Sequence, residues 1–201
     1  MEYAGTPAHA QPLETSTGLD NRKLLMWLFL GSECLFFGSL ISAYLLYRDR
    51  SVVGPYPREM YDIPFTSISS FVLLMSSVSM VLALSAIQRG DLRRMRVWLL
   101  CTALLGILFL SGQAYEFTTF YDKGLSLRSN LFGSTFFVLT GFHGAHVSIG
   151  VIVLLSIWVR SLQGKVKQSD SLNVELAGLY WHFVDIVWIV IFTLVYLLTG
   201  R

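Results

Sequence analysis

Five stretches of this chain, 23–47, 65–87, 97–120, 131–159 and 174–198, run almost without charge, and polar connectors separate them. Each is long enough to cross the hydrocarbon of a bilayer, which takes about 20 mostly apolar residues in a helix. The pattern predicts an all-α protein, an integral membrane bundle of about five transmembrane helices. Residues 48–64 carry Gly54, Pro55, Pro57 and Pro64, which break helices, and Arg89-Gly90-Asp91 makes a tight turn between the second and third spans. No linker is long enough to separate domains and no internal repeat is visible, so residues 23–201 are expected to form one five-helix domain. Residues 1–22 are polar, lack the layout of a cleaved signal and read as a disordered cytoplasmic tail, with His9 as a solvated histidine.

Composition agrees with this class. The 201 residues are 54% hydrophobic and only 14% charged, against about 25% charged in a typical soluble domain. The formal net charge is +2, and the basic residues sit in connectors without forming a stripe, so nucleic acid is not an expected partner. Cys34 and Cys101 both fall inside apolar runs and read as free thiols. CxxC, CxxCH and HExxH are absent from the sequence. Loop charge sets orientation. With the N-terminus inside, the inner segments hold nine Lys and Arg and the outer ones six, which favours a cytoplasmic N-terminus and an outside C-terminus.

Small residues recur every four positions at Cys34, Gly38 and Ser42, at Gly141 and Ala145, and at Gly144 and Ser148. In lipid such rows let helices approach closely, so they are read as packing faces. The serines of the second span (Ser67, Ser69, Ser70, Ser76, Ser77 and Ser79) are expected to bond back to their own helix or to face a neighbour. Trp98, Tyr121 and Tyr196 lie near span ends and read as interfacial anchors.

Candidate chemistry lies in the ionisable residues of the spans: Glu33, Glu116, His143, His146, His182 and Asp185. Each costs about 2.5–3.5 kcal/mol or more in hydrocarbon unless it is partnered. Glu116 lies near the outer end of the third span, where it reaches the headgroups or an interface. Glu175, at the start of the fifth span, is a second interface candidate. Glu33 is about ten residues into the first span, or ~15 Å deep at the helical rise, and His146, His182 and Asp185 fall at similar depths. These residues are expected to form an intramembrane polar cluster, with His143 beside it and His146 the favoured partner of Glu33. A structural role as polar glue is the alternative. A metal or haem site on His143, His146 and His182 is a further reading, opposed by the glycines around them, which serve close helix packing.

Several segments together resemble one family. Ser32-Glu33-Cys34-Leu35-Phe36-Phe37 resembles the SExxFF segment of subunit III of haem–copper terminal oxidases, and Gln113-Ala114-Tyr115-Glu116-Phe117 its QAYEY segment. Gly133-Ser134-Thr135-Phe136-Phe137 and Gly141-Phe142-His143-Gly144-Ala145-His146-Val147 are similar to its GSTFF…TGFHGxHV segment, and Tyr180-Trp181-His182-Phe183-Val184-Asp185-Ile186-Val187-Trp188 to its YWHFVDVVW segment. The matches keep their order from Glu33 to Trp188. The resemblance implies a non-catalytic subunit of a proton-pumping cytochrome c oxidase in a bacterial plasma membrane. It implies no cofactor or metal in this chain, haem and copper in partner subunits, direct contact with subunit I, and association with subunit II and small subunits. It also implies bound phospholipid, with Glu33 and Arg160 as lipid-binding residues, and support of proton uptake into subunit I. Longer relatives have two helices ahead of the segment matching the first span, forming a cleft that holds phospholipids. In some short relatives that pair is fused to subunit I, which would build the cleft between chains.

Quinol-oxidising relatives often carry Asp where this chain has Glu33, so the likeness favours a cytochrome c oxidase over a quinol oxidase. A haem-binding membrane anchor and a small proton-coupled transporter are the readings from other classes. The transporter lacks the inverted repeat and paired broken helices such folds show.

Overall fold

The computed structural model describes residues 18, 20–48, 50 and 62–198. Most of the tail assigned to residues 1–22, much of the Pro-containing connector and residues 199–201 lie outside the described residues. Five spanning helices follow in order: α1 (Asn21–Tyr47), α2 (Ile63–Gln88), α3 (Leu92–Asp122), α4 (Leu131–Leu162) and α5 (Ser171–Ile191). A single 3-10 turn, Gln168–Asp170, leads into α5, and a π-helical segment, Phe192–Leu197, continues it. No strand occurs among the described residues.

Local sequence explains where the helices begin. The side chains of Asp20, Asp62, Asp91 and Asn130 accept backbone N–H bonds from Arg22, Phe65, Arg94 and Gly133, satisfying donors that the first turn leaves unpaired. This is why α3 starts at Leu92, five residues ahead of the apolar run. Its helix runs through the arginines of the interface, where hydropathy has already ended but hydrogen bonding has not.

α2, α3, α4 and α5 close a four-helix ring, each packed on the next and α5 back on α2; α1 lies outside it against α4 and α5. In the most apolar 18-residue window, 56% of residues are buried for the α5 segment and 11% for α1. α5 is thus the centre of the molecule and α1 its margin. The buried face of α1 is Leu30, Phe37 and Tyr44, at seven-residue spacing. The row Cys34, Gly38 and Ser42, expected to pack, points outward instead. Periodicity identified the small-residue face, but α1 meets its own chain through larger side chains. On α4 the rows divide: Gly144 is buried against Gln113 of α3, whereas Gly141 has no neighbour where a Cβ would stand.

The bundle turns on Trp181. Its indole reaches from α5 across the ring between Gly106 of α3 and Gly150 of α4. A Cβ at Gly106 would stand 2.6 Å from the indole, and one at Gly150 2.8 Å from it, closer than packed atoms approach. Its Nε1 donates to Ser76 Oγ of α2 at 3.0 Å. Two turns along, Trp188 Nε1 donates to Ser70 Oγ at 2.9 Å. The α2 serines therefore both bond back to their own helix and accept from α5.

Trp181→Ala is expected to cost about 3–5 kcal/mol as a large core truncation, and Gly150→Val about 1–3 kcal/mol by overpacking. Thermal denaturation of the purified protein in detergent checks both. Gly141→Val, where nothing lies within 4 Å of the added carbon, is the control expected to stay near wild type.

Candidate functional site

Rotation of α5 distributes its polar side chains. Successive residues on a helix turn by about 100°. With Trp181 and Trp188 pointing into the ring, Tyr180 and His182 leave on opposite sides. Tyr180 Oη donates to the His146 carbonyl of α4 at 3.0 Å, and His182 Nδ1 lies 2.7 Å from Ser77 Oγ of α2. Asp185 falls between the directions of Trp181 and His182 and is buried toward α2.

Glu33 and His146 meet between α1 and α4, with Glu33 Oε2 3.2 Å from His146 Nε2. His146 Nδ1 lies 2.8 Å from the Phe142 carbonyl. A carbonyl only accepts, so Nδ1 carries a proton and Nε2 is the nitrogen that answers the carboxyl group. The contact stands at ion-pair distance without the alignment of a hydrogen bond, since Oε2 has no hydrogen-bond partner. Phe37 closes the pair from one side, its ring 5.0 Å from that of His146.

The other expected members do not join them. His143 is fully buried, stacked on Trp188 at 4.9 Å, with Phe109 edge-on, and its ring nitrogens make no hydrogen bond. His182 faces Ser77, and both Asp185 oxygens lack a hydrogen-bond partner. A single cluster shared by α1, α4 and α5 is therefore corrected to one pair and two separate sites. The cause is the α5 rotation imposed by its tryptophans, which aims His182 and Asp185 at α2. For the same reason His143, His146 and His182 face different neighbours. Among the described residues no group of three His, Cys, Asp or Glu side chains converges.

Glu116 departs furthest from expectation. It does not reach the headgroups or an outer interface; it is 6% exposed inside the bundle. Its Oε1 accepts from Thr66 Oγ1 of α2 at 3.0 Å, and its Oε2 from Tyr196 Oη at 3.1 Å. Tyr196, read as an interfacial anchor, is correspondingly buried. The π-segment brings this about: its wider turn, in which Leu198 N–H bonds back to Thr193, places Val195 and Tyr196 together in the core. No sequence signal marked that turn. Glu175 pairs with Lys23 of α1 at 2.7 Å, both about one-third exposed, so it links helices within this chain. Arg160 is exposed at the end of α4 and lines a cleft of about 170 Å³ with Lys165 and Asp170.

These features define a polytopic helical membrane protein whose intramembrane ionisable side chains are turned into its bundle. The model of the family described as cytochrome c oxidase subunit III matches residues 8–200. The cytochrome c oxidase subunit 3 of Thermostichus vulcanus is 41% identical over 90% of this chain and 89% of its own. That of Bacillus sp. strain PS3 is 36% identical over 89% and 86%. The quinol oxidase subunit 3 of Bacillus spizizenii is 34% identical over 98% of both chains. The chain belongs to the cytochrome c oxidase subunit III family, and it is a membrane protein of the haem–copper oxidase subunit III kind.

Two outcomes test the site. Glu33→Ala and His146→Ala are expected to be non-additive in thermal stability, with a coupling of about 0.5–3 kcal/mol; full additivity would remove the pair. Glu116→Leu takes the carboxylate acceptor from the buried Tyr196 hydroxyl, while Thr66 keeps the Asp62 carbonyl, and is expected to cost about 1–3 kcal/mol, with Glu116→Gln costing less in the same denaturation assay.

Proposed function

We propose that this chain is the five-helix subunit III of a proton-pumping cytochrome c oxidase in a bacterial plasma membrane, with its N-terminus cytoplasmic and its C-terminus outside. The family match over residues 8–200 carries the reading. In it, haem and copper in partner subunits take electrons from cytochrome c and reduce oxygen to water. This chain contacts subunit I directly, lies in a complex with subunit II and small subunits, and acts through structure, bound phospholipid and support of proton uptake. The quinol oxidase relative, matched over 98% of both chains, sustains a second reading with quinol as donor. Steady-state oxidation of reduced cytochrome c against a quinol by the purified complex separates the two.

A cleft at Arg160 and Lys165, walled by the end of α4 and the start of α5, supports the reading of a bound lipid. Arg160 follows His146 by fourteen residues, or ~21 Å of helix. A phospholipid headgroup at Arg160 and Lys165 would lay an acyl chain along α4 toward the level of the Glu33–His146 contact. Basic groups near the surface attract anionic headgroups by about 1 kcal/mol each.

Oxidase depleted of this chain is expected to keep its haem and copper spectra and most of its initial activity. It should take up protons more slowly at alkaline pH and lose activity sooner during turnover. Equal turnover lifetime and unchanged pH dependence would leave the chain a scaffold only. Loss of a haem or copper signal would contradict its placement outside the redox centres. For orientation, a cysteine introduced in the N-terminal tail is expected to be shielded from impermeant thiol reagents in intact cells, and labelling there would reverse the topology.

A further inference from the structure

The turn joining α2 to α3 carries Arg89, Arg93, Arg94 and Arg96. Arg96 is committed to α4, its Nε bonding Ser161 Oγ at 2.7 Å. Arg89 and Arg94 instead stand at the mouth of a cleft of about 620 Å³ between the ends of the two helices. Its apolar walls are Leu82 and Ala86 of α2 and Val97 and Trp98 of α3. Arg89 uses Nε and Nη2 on Ser85, at 3.2 and 2.8 Å, two of the five N–H donors of a guanidinium. Asp91 also lines the cleft, but its carboxylate is already engaged. Oδ1 accepts the Arg94 N–H at 2.9 Å and Oδ2 faces Arg94 Nε at 3.2 Å. Two guanidinium groups against one carboxylate leave the mouth positive. The turn is braced from outside by Gln168, whose Nε2 donates to the Gln88 carbonyl at 2.8 Å.

We propose that this cleft binds the headgroup of an anionic phospholipid, with an acyl chain lying on Leu82, Ala86, Val97 and Trp98. The polarity profile selects that ligand. Trp98 is one helical turn from Arg94, ~6 Å further into the membrane, where an indole suits the boundary between headgroups and chains. A soluble anion would satisfy the arginines and leave the apolar walls bare. A zwitterionic lipid would fill the walls and gain little from the net charge. The site lies on the α2–α3 seam, away from the α1–α4 seam and Arg160. It requires that the bundle span the bilayer, and it is independent of the electron donor.

The test uses the intact complex in nanodiscs containing a phosphatidylglycerol with a photoactivatable acyl chain, with labelled peptides mapped by mass spectrometry. Labelling is expected between Leu82 and Trp98, displaced by phosphatidylglycerol but not by phosphatidylcholine or inorganic phosphate. The double variant Arg89→Ala/Arg94→Ala should weaken this labelling about 30-fold, from two basic groups acting near the surface. Arg89→Lys/Arg94→Lys should stay within a few-fold, and keeps the test valid if the alanine variant fails to assemble. Unchanged labelling in the alanine variant, or equal competition by phosphatidylcholine, would reduce the cleft to an apolar groove and overturn the proposal. Displacement by phosphate would make it a soluble-anion site. Absence of lipid labelling with cross-links from the arginines to an acidic segment of another subunit would make it a protein interface. Because Arg160 is untouched, loss of lipid there would not produce these results.

Discussion

A single indole sets the rotation of the central helix. In water, burying apolar surface would press these helices together; in lipid that force is absent, and close packing and interhelical hydrogen bonds must do the work. Trp181 supplies both, lying where two glycines leave room and bonding a serine on a third helix. It thereby joins α5 to α2, α3 and α4 at one level. Trp188 repeats the contact two turns away, bonding Ser70 and stacking on His143. Two such residues on one face hold α5 against twisting about its axis. Every other side chain of α5 is then assigned a neighbour by the 100° step of the helix: Tyr180 to α4, His182 and Asp185 to α2.

α1 is attached on different terms. Its window is only 11% buried, and its polar links to the ring include the Glu33–His146 pair and the Lys23–Glu175 pair. Glu33 stands three residues from Leu30, on the flank of the buried Leu30–Phe37–Tyr44 stripe. The carboxyl is therefore at the seam, neither in the core nor free in hydrocarbon. Exposed pairs contribute little to stability, so the Lys23–Glu175 contact orients the end of the helix more than it secures it. Along the seam Phe36 packs on Phe142, Phe37 on His146 and Tyr44 on Phe132.

The spans, their order and the family were legible in the sequence because hydropathy and motif order are properties of the chain alone. The Glu33–His146 partnership was legible as well, since depth along two antiparallel helices can be counted in residues. Helix rotation was not. Nothing in the pattern of α2 serines says that Ser70 and Ser76 receive indoles while Ser77 receives an imidazole. The small-residue rule located the Cys34–Gly38–Ser42 row but could not say whether its neighbour belongs to this chain. Glu116 was misjudged for a separate reason. Its distance from the helix end suggested headgroups, and only the π-segment, invisible to hydropathy, reveals that Tyr196 turns inward to meet it.

Burial sorts the ionisable groups by what each can influence. Glu116 is sealed between Thr66 and Tyr196, and His143 is enclosed by aromatic rings; both can shape the bundle but cannot touch anything outside it. A subunit that acts on neighbouring chains and lipid must do so through groups at its surface. Those groups are Glu33 with His146 on the α1–α4 seam, and Arg89, Arg94 and Arg160 at the helix ends that the loop-charge rule assigns to the cytoplasm. The chain thus offers its surroundings one intramembrane edge built on a carboxyl–imidazole contact and one basic rim.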